Sequence, residues 1–464
     1  KRMLPSVRRK RILPVQRVGW MPERAMLWLG RAGLPISIRP QWSNCDCLSI
    51  LFRLSVFPVR GLILQAIDRT QRQLIEQLAP ITESELIPLE TALGRFLAED
   101  VYAEQDVPAS DISLFDGYAL SAPSACGSSR LLAGVTYAGD APAVLPEGDF
   151  VWRIFTGAPL PDGANAVIAQ ESVTSSDGRV VTLHESMSVG AGVRPKGADS
   201  RHGQRVLCAG TRLDAAELGL LASIGCAQIL VVRKPRVAIF TTGNELVAPG
   251  EPLEPGKIYN SNHIILVSAL TRLGVEMVDL GVLPDEAFSI RTALLAAAKH
   301  VDLVLTSGGV SVGDADLVRQ VVSEIGTIES WRVFLKPGKP LAFGRIGSVP
   351  FIGLPGNPVS TFVTFFLFVR PALRALAGGD PQIDRPPLNL PLAQDWVAGD
   401  RPEFIRVRRE RAASGETRLQ PFGDQNSGLL SSIAWADGVA LIPADRTLMC
   451  GDMVDYFPFE GWYL

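Results

Sequence analysis

Apolar residues recur at Ile67, Leu74, Ile75 and Leu78 with the spacing of one helix face, and Pro80 ends the run. The pattern predicts a helix from about Leu62. Ile87 to Ala98 reads as a strand passing into a second helix, and Asp100–Pro108 is turn-rich. From Asp106 to about Lys196 the rhythm changes to short apolar runs, around Leu131–Val135, Phe150–Phe155, Ala166–Ala169 and Val180–Leu183, broken by Gly, Pro and Asp turns. That is the pattern of a small β domain. Helical spacing returns at Ala215–Ile224 before a last apolar run at Ile229–Val232, so the β domain reads as an insertion.

Beyond residue 234 strand-like runs alternate with helical ones. Arg236–Phe240, Val275–Leu280, Asp302–Thr306 and Pro350–Leu354 are the strands; Ile264–Leu273, Ala287–Ala298, Asp316–Val322 and Val359–Leu376 are the helices. A βα repeat of this kind predicts a mostly parallel sheet with helices on its faces. The apolar run Thr361–Val369 follows a Pro358 turn and reads as a buried helix rather than a membrane span. Pro386 and Pro387 mark a boundary, after which Leu388–Leu392, Glu403–Arg408, Gly438–Ile442 and Met453–Phe457 read as a terminal β domain.

Composition narrows the function. The 464 residues are 47% hydrophobic and 20% charged, enough for several cores, and disfavour a polytopic membrane protein, a coiled coil or a disordered chain. The first sixty residues are rich in Arg with only Glu23 and Asp46 as acids, so the body is the acidic part of a chain of net charge −3. An acidic body speaks against a general nucleic-acid surface. Residues 1–60 read either as a transit-type leader or as a stretch translated upstream of the true start. Six scattered cysteines, Cys45 and Cys47 among them, and four histidines without ligand spacing give neither a zinc cluster nor a disulfide framework, and a reducing cytoplasm is the default.

Ligands of open α/β sheets bind outside the carboxyl ends of the strands. The loops there carry Thr241-Thr242-Gly243-Asn244-Glu245, then Pro284-Asp285-Glu286, then Ser307-Gly308-Gly309 continuing to Asp316. Lys336-Pro-Gly-Lys339-Pro340 and Leu354-Pro-Gly-Asn357-Pro-Val-Ser360 complete the set. Glycines admit an anion close to the backbone, helix starts offer free N–H groups, and Lys336 and Lys339 add mobile charge. Glu245, Asp285 and Asp316, converging from three strand ends, suit a hard cation such as Mg²⁺ beside phosphate oxygens. Any one such loop is more often plain turn chemistry, and each carboxylate alone is more often a cap or a solvated group. No G-x-G-x-x-G follows the first strand and no P-loop motif occurs, which disfavours a dinucleotide dehydrogenase and a P-loop NTPase.

At these residues the sequence resembles the molybdopterin molybdotransferase family, of bacterial MoeA and gephyrin E-domain type. The resemblance runs from about Leu62 to Leu464 through Phe115-Asp116-Gly-Tyr-Ala119, Thr156-Gly-Ala-Pro-Leu-Pro161, Arg194-Pro-Lys-Gly-Ala-Asp199 and Thr242-Gly-Asn-Glu245. It continues in Ser307-Gly-Gly-Val-Ser-Val-Gly313, Lys336–Pro340 and Gly353–Ser360. It implies a multidomain α/β plus β fold: a split helical domain (61–105 and 200–233), an inserted β domain (106–199), a central three-layer α/β domain (234–378) and a C-terminal β barrel (384–464).

The resemblance also implies a reaction. Adenylylated molybdopterin and molybdate are the substrates, Mg²⁺ assists cleavage of the pyrophosphate linkage, and AMP leaves as metal enters the dithiolene. It implies a cytoplasmic homodimer with a cleft shared between subunits, and the molybdopterin adenylyltransferase as a partner. By the same resemblance Asp285, Asp316 and Glu245 are metal-side carboxylates, and Lys336 and Lys339 are catalytic. Thr242, Gly243, Ser307, Gly308, Gly309, Pro340, Ser360, Arg406 and Ser427 line the substrate, and Asp116, Thr156, Arg194 and Asp199 come from the second subunit. Without the resemblance Asp116 is a turn carboxylate and Arg406 is as readily a solvated strand residue. Two departures stand out: Ser113-Leu-Phe115 in place of Ser-Ala-Met, which puts bulk beside the loop, and Asn244 in place of an Asp, which removes a charge beside Glu245. A scaffold that has lost catalysis, a phosphatase or nucleotidyl hydrolase, and a tungstate-inserting paralogue are the alternative readings.

Overall fold

The computed structural model describes residues 67, 69–310, 317–332, 335–338, 340–381 and 387–460. Asp316, Lys339, Cys45, Cys47 and the leader lie outside them. The part that positions the candidate site is a six-stranded sheet in the order Glu276–Leu283, Arg236–Thr242, Leu303–Ser307, Val349–Leu354, Pro340–Ile346, Gly326–Arg332. The first four strands are parallel, and the last two are added antiparallel. Alternation along Arg236–Thr242 explains the layering. Val237 and Ile239 point to one face and pack with Leu266 and Leu270 of helix Ser261–Arg272 and with Phe362 and Phe366. Ala238 and Phe240 point to the other, against Ile290, Leu294, Val318 and Val321. Each of the larger side chains, taken fully from water, contributes roughly 1.5–3 kcal/mol before entropy is counted.

The antiparallel pair is an addition to the βα expectation. Strands Pro340–Ile346 and Val349–Leu354 form a hairpin whose two-residue turn has Gly347 at φ +60°, a conformation glycine adopts freely. The run Pro358–Leu376 is helical throughout, with one π-type turn at Phe365–Val369, and its apolar residues are buried in the sheet's core, as its composition predicted.

The helical stretch expected after Ile87 is a single 3₁₀ turn, Leu89–Thr91. Gly94 sits at φ +76°, and Phe96 and Leu97 are drawn into bridges with Arg212 and Val231, so tertiary pairing overrides the helical spacing. Strand Ser84–Pro88 pairs antiparallel with Gln228–Val232, and helix Ala215–Ser223 opens with a capping box between Asp214 and Glu217. Between these strands a neck, the Val107–Ser200 bridge, leads into a second six-stranded sheet. Its order is Ala166–Ala169, Gly117–Leu120, Phe150–Ile154, Ser129–Thr136, Val180–Leu183, Val173–Ser176.

The C-terminal residues form a five-stranded sheet, Leu388–Pro391, Met453–Pro458, Gly438–Ile442, Glu403–Arg411, Thr417–Pro421. Its two edges meet: Leu392 bridges Leu419, and the Ala393 N–H donates to the Leu419 carbonyl at 2.8 Å. Strand Thr417–Pro421 and the short helix Leu430–Trp435 have no counterpart in the hydrophobic pattern.

Candidate active site

The strand order reverses beside Arg236–Thr242, whose parallel neighbours Glu276–Leu283 and Leu303–Ser307 lie on opposite sides. Such a reversal opens a crevice at the carboxyl ends. Thr242 and Ser307 end their strands buried, and Gly243, Gly308 and Gly309 follow at φ +147°, +93° and +65°. Gly309 is required twice over. A Cβ there would lie 2.6 Å from Val318 Cγ2 and 3.0 Å from Thr242 Oγ1, so the Thr242 and Ser307 turns touch only because no side chain intervenes.

Asn262, at the start of helix Ser261–Arg272, ties these turns to a third. Its amide donates to Ser307 Oγ at 2.9 Å and to the Gly356 carbonyl at 2.6 Å, while Ser307 Oγ donates to the Pro355 carbonyl at 3.0 Å. On the other side the Asn244 N–H donates to Asp285 Oδ2 at 3.1 Å, and Glu245 folds its carboxylate against Gly243. Lys257 Nζ donates to the Asn244 carbonyl. Thr242, Gly243, Glu245, Asp285, Ser307, Gly308 and Gly309 therefore stand together.

A second group joins this edge to the C-terminal sheet. Ser360 is buried in the first turn of helix Pro358–Thr364, and Ser427 is fixed to that turn by the Asn357 amide at 3.0 Å and by the Val359 N–H at 3.1 Å. Lys336 is not a mobile charge: its Nζ lies 2.9 Å from Oε1 of Glu403, a carboxylate only 4% exposed. Pro340 opens the adjoining strand. Arg406 is 1% exposed, against the reading of a solvated strand residue. Its Nε donates to Ser432 Oγ at 3.0 Å and its Nη2 to the Asn426 carbonyl at 3.1 Å. Burial pushes the guanidinium down to about 10, with the charges of Asp424 and Glu403 acting the other way, so it is cationic at neutral pH.

The third group lies on the inserted sheet. Asp116 Oδ1 accepts from both the N–H and the hydroxyl of Thr156, each at 2.8 Å. The Thr156 N–H, then its hydroxyl, then the charge of Arg153 hold the carboxyl below its ordinary range. Arg194 and Asp199 approach to 3.8 Å, both half-exposed. Among the described residues no hydrogen bond or ion pair joins this group to the other two. Phe115 packs toward Gly192, where an added Cβ would come within 2.7 Å of its ring.

The structure adds Asn262, Lys257, Glu403 and Asn426 to the residues read from sequence, and gives Asn357, already in the Leu354–Ser360 loop, its partner in Ser427. Only the Asn-rich helix start Asn260-Ser-Asn262 carried a local sign of one of them. A fit to Mg²⁺ can be tested on the donor set. Among the described residues no cluster of three His, Cys, Asp or Glu could hold a metal by itself. Glu245 and Asp285, one hydrogen bond apart through Asn244, supply hard oxygens, and Mg²⁺ commonly takes one or two carboxylates and completes its shell with water and substrate phosphates. The residues fit.

Fold and site together define a multidomain α/β enzyme, its polar, glycine-turned loops gathered at the carboxyl edge of a parallel sheet. Three family models match: the MoeA N-terminal region (domain I and II) over residues 65–225, a probable molybdopterin binding domain over 238–375, and the MoeA C-terminal region (domain IV) over 389–459. Molybdopterin molybdenumtransferase of Haemophilus influenzae is 36% identical across 85% of this chain and 98% of its own length. The same-named protein of a Nostoc species is 33% identical across 81% and 88%. A crystal structure of the molybdopterin biosynthesis MoeA protein of Pyrococcus horikoshii OT3 superposes with a TM-score of 0.72 at 28% identity, over 84% of this chain and 98% of that one. The chain belongs to the molybdopterin molybdenumtransferase family of molybdenum-cofactor biosynthesis, and it is a transferase.

Proposed function

We propose that this chain inserts molybdenum into molybdopterin, taking the adenylylated form and molybdate as substrates, cleaving the pyrophosphate linkage and releasing AMP. One observation carries the reading: Glu245 and Asp285 stand beside the glycine turns of Thr242–Gly243 and Ser307–Gly309, so acidic oxygens and closely approachable backbone share one edge. Mg²⁺ bound at those carboxylates would offset the charge of the phosphate oxygens. The turns bring backbone N–H groups to the substrate's anionic oxygens, and Lys336, held by Glu403, adds a fixed positive charge. Arg406 acts at one remove as a positioning residue, gripping the Asn426 carbonyl and so the Ser427 turn. Asp316, Lys339 and Pro340 complete the same assignment.

Asp116, Thr156, Arg194 and Asp199 belong in this reading to a cleft closed by a second copy of the chain, since among the described residues no hydrogen bond or ion pair of one copy ties them to the sheet edge. The C-terminal sheet, with edges joined at Leu392 and Leu419, is taken as the barrel of that architecture. A cytoplasmic site of action, with the molybdopterin adenylyltransferase handing over the substrate, belongs to the same proposal. The test is AMP release from adenylylated molybdopterin with Mg²⁺, with and without molybdate, and again with tungstate. Molybdate-dependent release that is lost in Asp285→Ala supports the proposal; a folded, dimeric protein that releases nothing refutes it and favours a scaffold. Mixing Asp116→Ala with Asp285→Ala subunits should restore activity if the cleft is shared, and no rescue would make each site self-contained.

A further inference from the structure

Beside Asp116 and Thr156 stands a stack of flat side chains that the proposed chemistry does not use. Tyr118 and Arg153 are register partners on paired strands, and Phe155, two residues beyond Arg153, shares their face. Tyr137 follows the neighbouring strand, whose Val135 is paired with Arg153. The Arg153 guanidinium carbon lies 5.0 Å from the Tyr118 ring centroid and 4.6 Å from that of Phe155. The rings of Phe155 and Tyr137 stack at 4.8 Å with 10° between their planes.

The stack is rigid at its base and open at its tip. Tyr118 packs against the core of Leu120, Val151 and Ile168, and Arg153 is pinned at its edge to the Gly117 carbonyl at 3.0 Å and to Gln170 Oε1 at 2.6 Å. Thr136, before Tyr137, is buried and accepts from Trp152 Nε1 at 2.8 Å, and the Tyr137 N–H donates to Asp140 Oδ2 at 2.7 Å. Tyr137 itself is 53% exposed. A ring held on a firm strand end, with one face covered by a parallel ring and the remainder in water, gains most from another flat ring. Next to it, Asp116 Oδ1 is taken by Thr156, and Oδ2 makes no hydrogen bond among the described residues. A free carboxylate oxygen asks for an N–H donor.

We infer that Tyr137, Phe155, Arg153 and Tyr118 form a stacking platform that binds a planar, amine-bearing nitrogen heterocycle, with Asp116 Oδ2 accepting from its exocyclic amine. The inference rests on the proposed function for the origin of the ring, because adenylylated molybdopterin offers two, a pterin and an adenine. It names Tyr137 as a residue that recognises the organic part of the substrate, separate from the loops that handle its phosphates.

The test measures binding to the full chain of two probes, pterin-6-carboxylate by its fluorescence and AMP by calorimetry, for the wild type, Tyr137→Ala and Tyr137→Phe. The exposed position of Tyr137 keeps the alanine variant folded. The expected result is a Kd raised about ten-fold for one probe in Tyr137→Ala, the loss typical of one stacked ring, and kept within about two-fold in Tyr137→Phe. The probe that responds identifies the ring. Unchanged binding of both probes in Tyr137→Ala, or an equal loss in Tyr137→Phe, overturns the platform. Wild-type AMP release is assayed alongside. Release with no effect of Tyr137→Ala on either probe sinks the platform alone, and a ring-dependent loss in a protein that releases no AMP sinks the proposed function alone.

Discussion

Thr156 holds Asp116 from forty residues away, placing two donors, its backbone N–H and its hydroxyl, on the same carboxylate oxygen at 2.8 Å. The hydroxyl is the replaceable half. Thr156→Val keeps the backbone donor and the shape, and removes one hydrogen bond to a charged group. AMP release should fall about ten-fold, the size of one such bond, with folding stability changed by less than about 1 kcal/mol at this exposed site. Thr156→Ser should restore it. The acid limb of the pH profile should also move upward, because a donor that keeps Asp116 ionised is gone. An unmoved limb in Thr156→Val would mean that Asp116 does not titrate in the reaction.

Arg406 presents the opposite balance. Its burial disfavours its charge, and a buried cation is weak evidence of stability. In Arg406→Met thermal unfolding should therefore shift by no more than the equivalent of about 2 kcal/mol in either direction. Turnover should nevertheless drop at least ten-fold as the Asn426 and Ser427 backbone loses its anchor. Arg406→Lys should not rescue, since one ammonium cannot reach both Ser432 Oγ and the Asn426 carbonyl with the fork of a guanidinium. A full rescue by lysine would reduce the residue's role to charge alone.

A third expectation concerns acid. Arg233 grips Asp302 through two nitrogens, at 2.6 and 2.8 Å, and the Arg236 N–H adds a third bond. Burial alone would raise the Asp302 carboxyl, but the Arg233 hydrogen bonds, that N–H and the charges of both arginines outweigh it and hold the group below its usual 3.8. A depressed carboxylate contributes stability above its unfolded pKa and loses it as pH falls through the folded one. Asp302→Asn should cost about 3 kcal/mol in urea unfolding at neutral pH, and the gap from wild type should narrow below about pH 4. A gap that stays constant to pH 2 would assign the effect to shape rather than charge.

The parallel sheet was legible because three of its four strands, Arg236–Thr242, Leu303–Ser307 and Val349–Leu354, are largely buried apolar runs between turn residues, as a strand covered on both faces must be, while the edge strand Glu276–Leu283 carries Glu276 and Asp279 on exposed positions. The two antiparallel strands were not legible. Gly326-Thr-Ile-Glu-Ser-Trp-Arg332 follows helix Leu317–Ile325 without a turn residue other than Gly326 and mixes polar with apolar residues, so no apolar run marks it as a strand. The false helix after Ile87 had the right spacing, and only the pairing of Phe96 and Leu97 with distant residues removed it. At the site, the glycine turns announced themselves by composition. Glu403 gave no such sign: it opens an alternating strand as any surface acid would, and its pairing with Lys336 joins residues 67 positions apart. Asn262 carried only the sign of a helix start, beside the cap Asn260, and that it links the Ser307 and Gly356 turns is a long-range relationship no local pattern shows.

The neck at Val107 and Ser200 has a consequence for how the chain can vary. The Val107 N–H donates to the Ser200 carbonyl at 2.8 Å, and the Asp199 N–H returns to the Val107 carbonyl at 2.9 Å, so the entrance and exit of the inserted sheet are adjacent on the surface that bears it. A closed loop costs little more when lengthened, its penalty growing only with the logarithm of its length. Whatever is threaded between those two residues leaves the register of Ser84–Pro88 against Gln228–Val232 untouched. The inserted sheet thus sits on a fixed socket, able to change in size away from Asp116, Thr156 and Tyr137 without disturbing the pairing of the body that carries it.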